Sequence, residues 1–314
     1  MKQLIFLSFL FLSFFGLLFA EDTTPICLKG DVRFKAKVEK DKKVSAQLKS
    51  EANACFKYSM ENSWLDSKIK LSLPLEKFYD HSVQLEIERL IIGFSLLDDE
   101  ALSLEIGRRK FEDLFESKVQ FKSYYNGIHL SHSHAMNLGR FFVHGGPHFV
   151  NAAENFYGFI AECGMKKILD SNATLKYSII DWNSSSSQQK DLNFLVSQMT
   201  LGYEIPRVML STGNFAMFSD KVLLYAAVLK NHHQCHDSYG FYTGACFGKI
   251  EQAKDLMIDV NYQYLNSQCM PEFDRTGVEK GFQIKAVYAL LDNFDVQAKL
   301  TTSKSGELSA IYKW

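Results

Sequence analysis

After residue 20 the sequence contains no run of about 18 apolar residues, so it offers no transmembrane helix. It has no CxxC pair, which removes zinc-ribbon and thioredoxin-like readings. Helical 3.6-residue periodicity is rare along the chain. An excess of positive charge is also missing. Removing residues 1–20 takes away one lysine and leaves 34 basic and 36 acidic residues, net −2, a balance that argues against a nucleic-acid partner. Proline numbers only 5.

Apolar and aromatic residues are plentiful. Hydrophobic residues make up 46% and aromatics 14%, with 26 phenylalanines. The first 20 residues, MKQLIFLSFLFLSFFGLLFA, combine Lys2, an apolar middle and the small Ala20. That is the pattern of a secretory signal peptide cleaved near Glu21, with an N-terminal anchor as the alternative reading. Cys27 lies too far downstream to be a lipid-anchoring cysteine. An exported chain this rich in Phe and Tyr, without a membrane helix, is a large secreted β or α/β protein or a membrane-spanning β-barrel.

The recurring signal is period-2 alternation. In CLKGDVRFKAKVE, Leu28, Gly30, Val32, Phe34, Ala36 and Val38 take one face, and Lys29, Asp31, Arg33, Lys35, Lys37 and Glu39 the other. A helix would spread those charges all round, so a strand is expected. Similar segments recur near 52–60, 65–73, 83–87 and 102–106, then as KVQFKS (118–123), NGIHLSHS, GRFFVHG, FYGFIAEC, ATLKYSIIDW, NFLVSQMTLGYEI, RVMLSTGNFAM, KVLLYAAVL, FYTGACFGKI, LMIDVNYQYLN, FQIKAVYALL, FDVQAKLTTS and LSAIYKW. The expectation is a single all-β domain over 21–314, an antiparallel transmembrane barrel of about 16 strands (range 12–18). In hydrocarbon every backbone group must be paired, so such strands must close. Aromatics gather at strand ends in SYYNG, NFYGF, YGFY and IYKW, as in the girdles of a barrel. The breaks LDN, EQAK and FSD are expected on the periplasmic side with Trp314, and 231–240 and 266–281 outside. NSSSSQQKD (183–191) falls on the wrong side of that alternation.

The ending resembles the C-terminal assembly signal of Gram-negative outer-membrane barrels, carried by Leu308, Ala310, Tyr312 and Trp314. Only Ile311 departs from its alternation. GDVRFKAKVE and IGRRKFEDLFESKVQFKSYYNGIHLSHS (106–133) are similar to stretches of porin-like proteins. The resemblance implies an outer-membrane location, lipid and the barrel-assembly machinery as partners, and passive diffusion of small hydrophilic solutes without a cofactor. It leaves open a homo-oligomer and disulfide links to other envelope proteins.

Several residues invite a chemical reading. Arg33, Lys35, Arg109 and Arg140 are expected to line the lumen, where cations favour anions, opposed by Glu86, Glu88, Glu105 and Asp259. His129 and Ser131 are similar to the His-x-Ser of outer-membrane lipid hydrolases. Alternation, however, sends Ile128 and Leu130 to lipid and the dyad to the lumen, and His132 stands where those motifs carry Asn. A lipid hydrolase is therefore the lesser alternative, and a non-conducting structural or adhesive barrel another. NHHQCHD (231–237) holds metal-ligand types, but adjacent residues on an extended loop point apart, so no metal site is expected. Cys235 and Cys246 are candidates for a disulfide bracing that loop.

Overall fold

The structure is a computed structural model, and it describes residues 26–38, 45–74, 84–97, 101–115, 117–119, 124–151, 155–184, 193–212, 215–272, 275, 279–302 and 305–313. Residues 1–20 and Trp314 lie outside that set. Sixteen strands follow in chain order: β1 Ile26–Val38, β2 Ser45–Met60, β3 Ser63–Pro74, β4 Gln84–Ser95, β5 Leu102–Lys110, β6 Tyr124–Met136, β7 Gly139–Asn151, β8 Asn155–Lys166, β9 Ala173–Ser184, β10 Phe194–Thr212, β11 Phe215–Asn231, β12 Tyr239–Phe247, β13 Leu256–Leu265, β14 Lys280–Leu291, β15 Phe294–Thr301 and β16 Gly306–Lys313.

Each strand pairs antiparallel with its sequence neighbours, and β1 pairs with β16 to close the barrel. Val32 lies opposite Tyr312 and Ala36 opposite Leu308 at that seam. Closure leaves no edge strand around the barrel wall, which is the only way a sheet can satisfy its backbone without water.

Alternation sorts the side chains as its period predicts. Phe34, Ile92, Ile106, Ile128, Leu130, Phe159, Leu201, Ile284 and Leu308 are exposed on the outer face. Glu51, Glu88, His129, Glu162, Gln198, Asp259, Gln263 and Ser309 are buried on the inner one. A water-soluble protein has the reverse distribution, because exposing this much contiguous apolar surface to water is unfavourable. Ile311, the residue that departs from the terminal alternation, is buried on the inner side, while Tyr312 is outside.

We call the end where β16 finishes the C-terminal rim and the other the loop rim. The β2–β3, β6–β7 and β14–β15 connections at the C-terminal rim are two-residue turns. The strand ends joined by the β5–β6, β11–β12 and β13–β14 connections lie at the loop rim. The stretches around LDN and EQAK thus fall on the expected side.

Three expectations need correction. FSD lies inside β11, not in a turn, because residues expected as three strands over 193–229 form two long ones. β10 pairs with β9 only as far as Tyr203, and β11 pairs with β12 only from Val222. Beyond these points the two strands continue as a two-stranded ribbon, with Val208 opposite Ser219 and Thr212 opposite Phe215. Pro206 is tolerated there because a ribbon strand has a neighbour on one side only. With one strand fewer, the break at 183–191 joins β9 to β10 at the loop rim, in step with the alternation. The second correction concerns KVQFKS. Of it the structure describes Lys118 and Val119, and both are outside any strand, in the β5–β6 connection.

The third concerns Cys235 and Cys246, which are free thiols. Cys235 is exposed in the loop before β12, whereas Cys246 lies near the far end of β12, opposite Leu223 and Asp259. From Tyr239 to Cys246 the strand rises roughly 23 Å at about 3.3 Å per residue. A bridge requires Cα atoms within about 7 Å.

One glycine illustrates how tightly the wall is built. Gly107 in β5 has φ +146°, and a Cβ there would lie 2.0 Å from the Leu90 carbonyl oxygen of β4. Gly107→Val should cost about 1–3 kcal/mol through backbone strain alone. A lowered temperature of heat-induced gel-mobility change would register it, and an unchanged temperature would contradict the close approach.

Candidate functional site in the barrel interior

The β5–β6 connection turns inward after Lys110. A single 3-10 turn at Phe111–Asp113 redirects the chain, with the amides of Leu114 and Phe115 donating to the Phe111 carbonyl. Phe111 meets Tyr125 and His148 edge-on, with centroids 5.6 and 5.4 Å apart. Phe115 lies 4.7 Å from the His144 ring. The loop then reaches the far wall. Ser117 Oγ donates to Gln198 Oε1 of β10 at 3.1 Å. Lys118 Nζ donates to Asp259 Oδ2 of β13 at 2.8 Å and lies 4.7 Å from the Tyr225 ring centroid. Tyr225 Oη donates to the other carboxylate oxygen of Asp259 at 2.5 Å. One loop therefore ties β5 to β10, β11 and β13 across the lumen.

The loop has an apolar bed. Inward side chains of β7–β13 near the loop rim, among them Val150, Phe156, Ile160, Ile180, Trp182 and Leu229, form one cluster with Phe111, Phe115 and Val119. The expected aromatic clusters are divided between two faces. Tyr157 and Tyr239 are outside and exposed, while Tyr125, Phe156 and Tyr242 are buried inside. Next to the cluster, Cys269 and Met270 of the β13–β14 loop are buried. That loop is sewn to the end of β11 by Asn231 Nδ2 donating to the Gln268 carbonyl, and to the β11–β12 loop by Gln268 N donating to the Asp237 carbonyl. Burial pushes the Cys269 thiol up to about 11, so it stays protonated at neutral pH.

The opposite arc, β1–β5 with β16, is charged instead. Lys68 Nζ lies 2.5 Å from Glu88, Lys110 3.3 Å and Lys70 3.5 Å, and Lys70 also reaches Glu51 at 3.1 Å. Glu88 is 3% exposed, so its charge is sustained by these three ammonium groups rather than by bulk water. Of the residues expected in the lumen, Lys35 pairs with Glu307 at 2.9 Å and Arg109 with Glu105 at 2.5 Å. Arg33 lies 3.7 Å from Asp31, and Arg140 Nη2 donates to Ser133 Oγ at 3.1 Å near the C-terminal rim. Lys68, Lys70, Lys110 and Lys118 were missed by sequence reasoning. Parity alone would have found the first two. Lys118 depends on a loop whose path alternation does not encode.

His129 and Ser131 face the interior, between the exposed Ile128 and Leu130. Their partners diverge. Ser131 Oγ is hydrogen-bonded to Ser103 Oγ at 2.6 Å, either hydroxyl being able to donate, whereas His129 Nε2 faces His144 Nδ1 at 3.2 Å and His129 Nδ1 faces Glu105 at 3.5 Å. His144 Nε2 continues the series to Glu162 at 3.3 Å. This is a cross-strand polar ladder on the wall and gives a lipid-side dyad no support. At 231–237, His232 Nε2 is engaged by Ser197 Oγ at 2.8 Å. Among the described residues no group of three His, Cys, Asp or Glu side chains could hold a metal ion.

No family model and no curated relative matches the sequence. Solved structures do match. Salmonella typhi OmpF, in complex with daunomycin, has a TM-score of 0.61 at 9% identity, over 93% of this chain and 98% of that one. A mutant of the Rh. blastica porin has a TM-score of 0.55 at 9% identity, over 92% and 100%. Pseudomonas putida OprB at low pH has 0.52 at 11% identity, over 93% and 92%. At such identities the likeness concerns architecture: the chain has the closed, sixteen-stranded antiparallel fold of the bacterial porins.

Proposed function

We propose that the protein is an outer-membrane channel through which small hydrophilic solutes diffuse passively. The observation that carries this reading is the division of the interior. An inward loop and its apolar bed occupy the β6–β13 side, and the β1–β5 and β16 arc keeps a wall of charged groups, which needs water or counter-charge to be stable. Selection is by size at the loop and by the paired charges of the wall, with no covalent step and no cofactor. Because lysines and carboxylates alternate there, ion selectivity is expected to be weak. The C-terminal rim is the periplasmic one, and lipid is the partner of the outer face.

The test is insertion of the purified barrel into a planar bilayer. Stepwise conductance that rises with salt supports the reading. A heat-modifiable, folded barrel giving no steps at any voltage overturns it and favours a structural or adhesive barrel.

The route to the membrane is part of the same reading. Residues 1–20 direct export, and Leu308, Ala310, Tyr312 and Trp314 present the last strand to the assembly machinery. The outward, exposed Leu308 and Tyr312 suit that role. Deleting Trp314 should leave export intact and lower the heat-modifiable, membrane-inserted fraction several-fold, as fractionation and gel mobility would measure. Normal insertion of the deletion would remove that role.

A further inference from the structure

We infer that acid releases the near end of the inward loop from the wall, and that His148 is the group that releases it. His148 of β7 is 4% exposed, and among the described residues neither of its ring nitrogens has a hydrogen-bond partner. Its surroundings are rings and backbone. Phe111 of the loop meets it edge-on at 5.4 Å, and Tyr125 of β6 stacks on it at 5.9 Å and 29°. On the β8 side it lies opposite Gly158, which has no side chain to offer.

The polar groups around it are engaged elsewhere. On β5, Glu105 holds Arg109 at 2.5 Å and faces His129 at 3.5 Å. On β8, Glu162 faces His144 at 3.3 Å. In the loop, Glu112 faces Lys110 at 3.5 Å, and on β9 Asp181 accepts from Asn183 at 2.5 Å. The Tyr125 hydroxyl donates to the carbonyls of Ile128 and Pro147. Arg109, Lys166 and Lys176, the cations of this wall, are donors only.

A proton therefore acts differently on the three interior histidines. His129 and His144 are 3.2 Å apart, and each has a carboxylate on its other side, Glu105 and Glu162, toward which a charged ring can turn. A charged His148 has none. An unpaired buried charge is costly, and the same charge in lumenal water is not. His148 points inward from the wall, so the loop, through Phe111, is what lies between its ring and the lumen. The proton thus binds the undocked loop in preference to the docked one. By linkage, each pH unit below the ordinary imidazole value of about 6.5 moves the docking equilibrium about tenfold toward release. The latch of Lys118 on Asp259 is separate, so acid loosens the end of the loop that packs on histidine rings.

The inference rests on the channel reading only for its consequence, a wider path in acid, so its test needs no current. Trp182 is fully buried in the apolar bed of the loop. Detergent-folded barrel carrying Trp64→Phe and Trp314→Phe keeps Trp182 as its one indole, and acrylamide quenching reports its cover. Quenching should be weak at about pH 7.5 and rise several-fold, reversibly, at about pH 5.5, which is above the ordinary range of carboxylates. His148→Phe keeps a ring against Phe111 and Tyr125 and removes the titrating nitrogens. It should abolish the rise and leave quenching at neutral pH unchanged, and His148→Leu serves if that variant gives no heat-modifiable barrel. His129→Gln should retain the rise. Quenching indifferent to pH overturns the inference, as does an undiminished rise without His148, or a rise that is irreversible and accompanied by loss of heat-modifiable folding. A conducting barrel without the acid response sinks the release alone, and an acid response in a barrel that carries no current sinks the channel reading alone.

Discussion

Asp259→Ala is expected to give a larger and noisier single-channel current than the parent barrel. Asp259 is the charged far anchor of the inward loop, beside the single neutral contact of Ser117 with Gln198. One oxygen receives Lys118 and the other receives Tyr225, so a single truncation removes both contacts. Lys118 is about one-third exposed and Asp259 one-tenth exposed, which screens the pair partly. A fully buried pair broken on one side costs about 3–5 kcal/mol, and roughly half of that is a fair figure for this setting. Since about 1.4 kcal/mol is tenfold in an equilibrium, the loop should populate an undocked state readily. The near anchor survives, because Phe111 and Phe115 pack on Tyr125, His148 and His144. The loop therefore swings from its β5 end and exchanges between positions, which raises both mean current and current fluctuation. Lys118→Ala should behave alike, and the double variant should be no worse than either single one, since the two side chains act as one contact. Identical conductance and noise in all three variants would mean that the loop is held by its apolar bed and that the ion pair is incidental.

The barrel was legible because its physics is local. Alternation at period 2 records which face meets lipid, and charges such as Arg33 and Lys35 mark the other, so strand existence and approximate number follow from the sequence alone. The errors arose where local patterns mean something else. Lys118 and Val119 alternate like a strand, yet the apolar member packs on an inner cluster rather than on lipid. Pro206 looks like a strand boundary, but it is permitted inside β10 because the ribbon beyond β9 leaves that strand with one neighbour. The aromatic runs were expected at the membrane interfaces, yet Tyr125, Phe156 and Tyr242 face inward, because adjacent residues on a strand necessarily take opposite sides. The loop latch could not be anticipated, since Lys118 and Asp259 are 141 residues apart and meet only after closure.

Neutralising Glu88 should shift selectivity toward anions and destabilise the barrel together. Glu88 is the carboxylate shared by Lys68, Lys70 and Lys110. In Glu88→Gln the shape is kept and the charge is lost. Lys70 retains Glu51 at 3.1 Å and Lys110 retains the exposed Glu112 at 3.5 Å, so Lys68 gives up the contact least easily replaced. The three lysines are 15–31% exposed, so lumenal water and counter-ions take over part of the compensation. The cost is therefore expected near 1–3 kcal/mol, below that of an isolated buried pair. The same counter-ions are the functional readout, because anions recruited to the uncovered lysines raise the local anion concentration in the conducting path. In a salt gradient the reversal potential should move toward that of the anion, most strongly at low ionic strength, where screening is weakest. Lys68→Gln in the same background should restore both stability and selectivity in part, by removing the ammonium that Glu88 no longer balances. A reversal potential indifferent to Glu88→Gln, in a barrel that still conducts, would place the ion path away from the β3–β5 wall and against the loop instead.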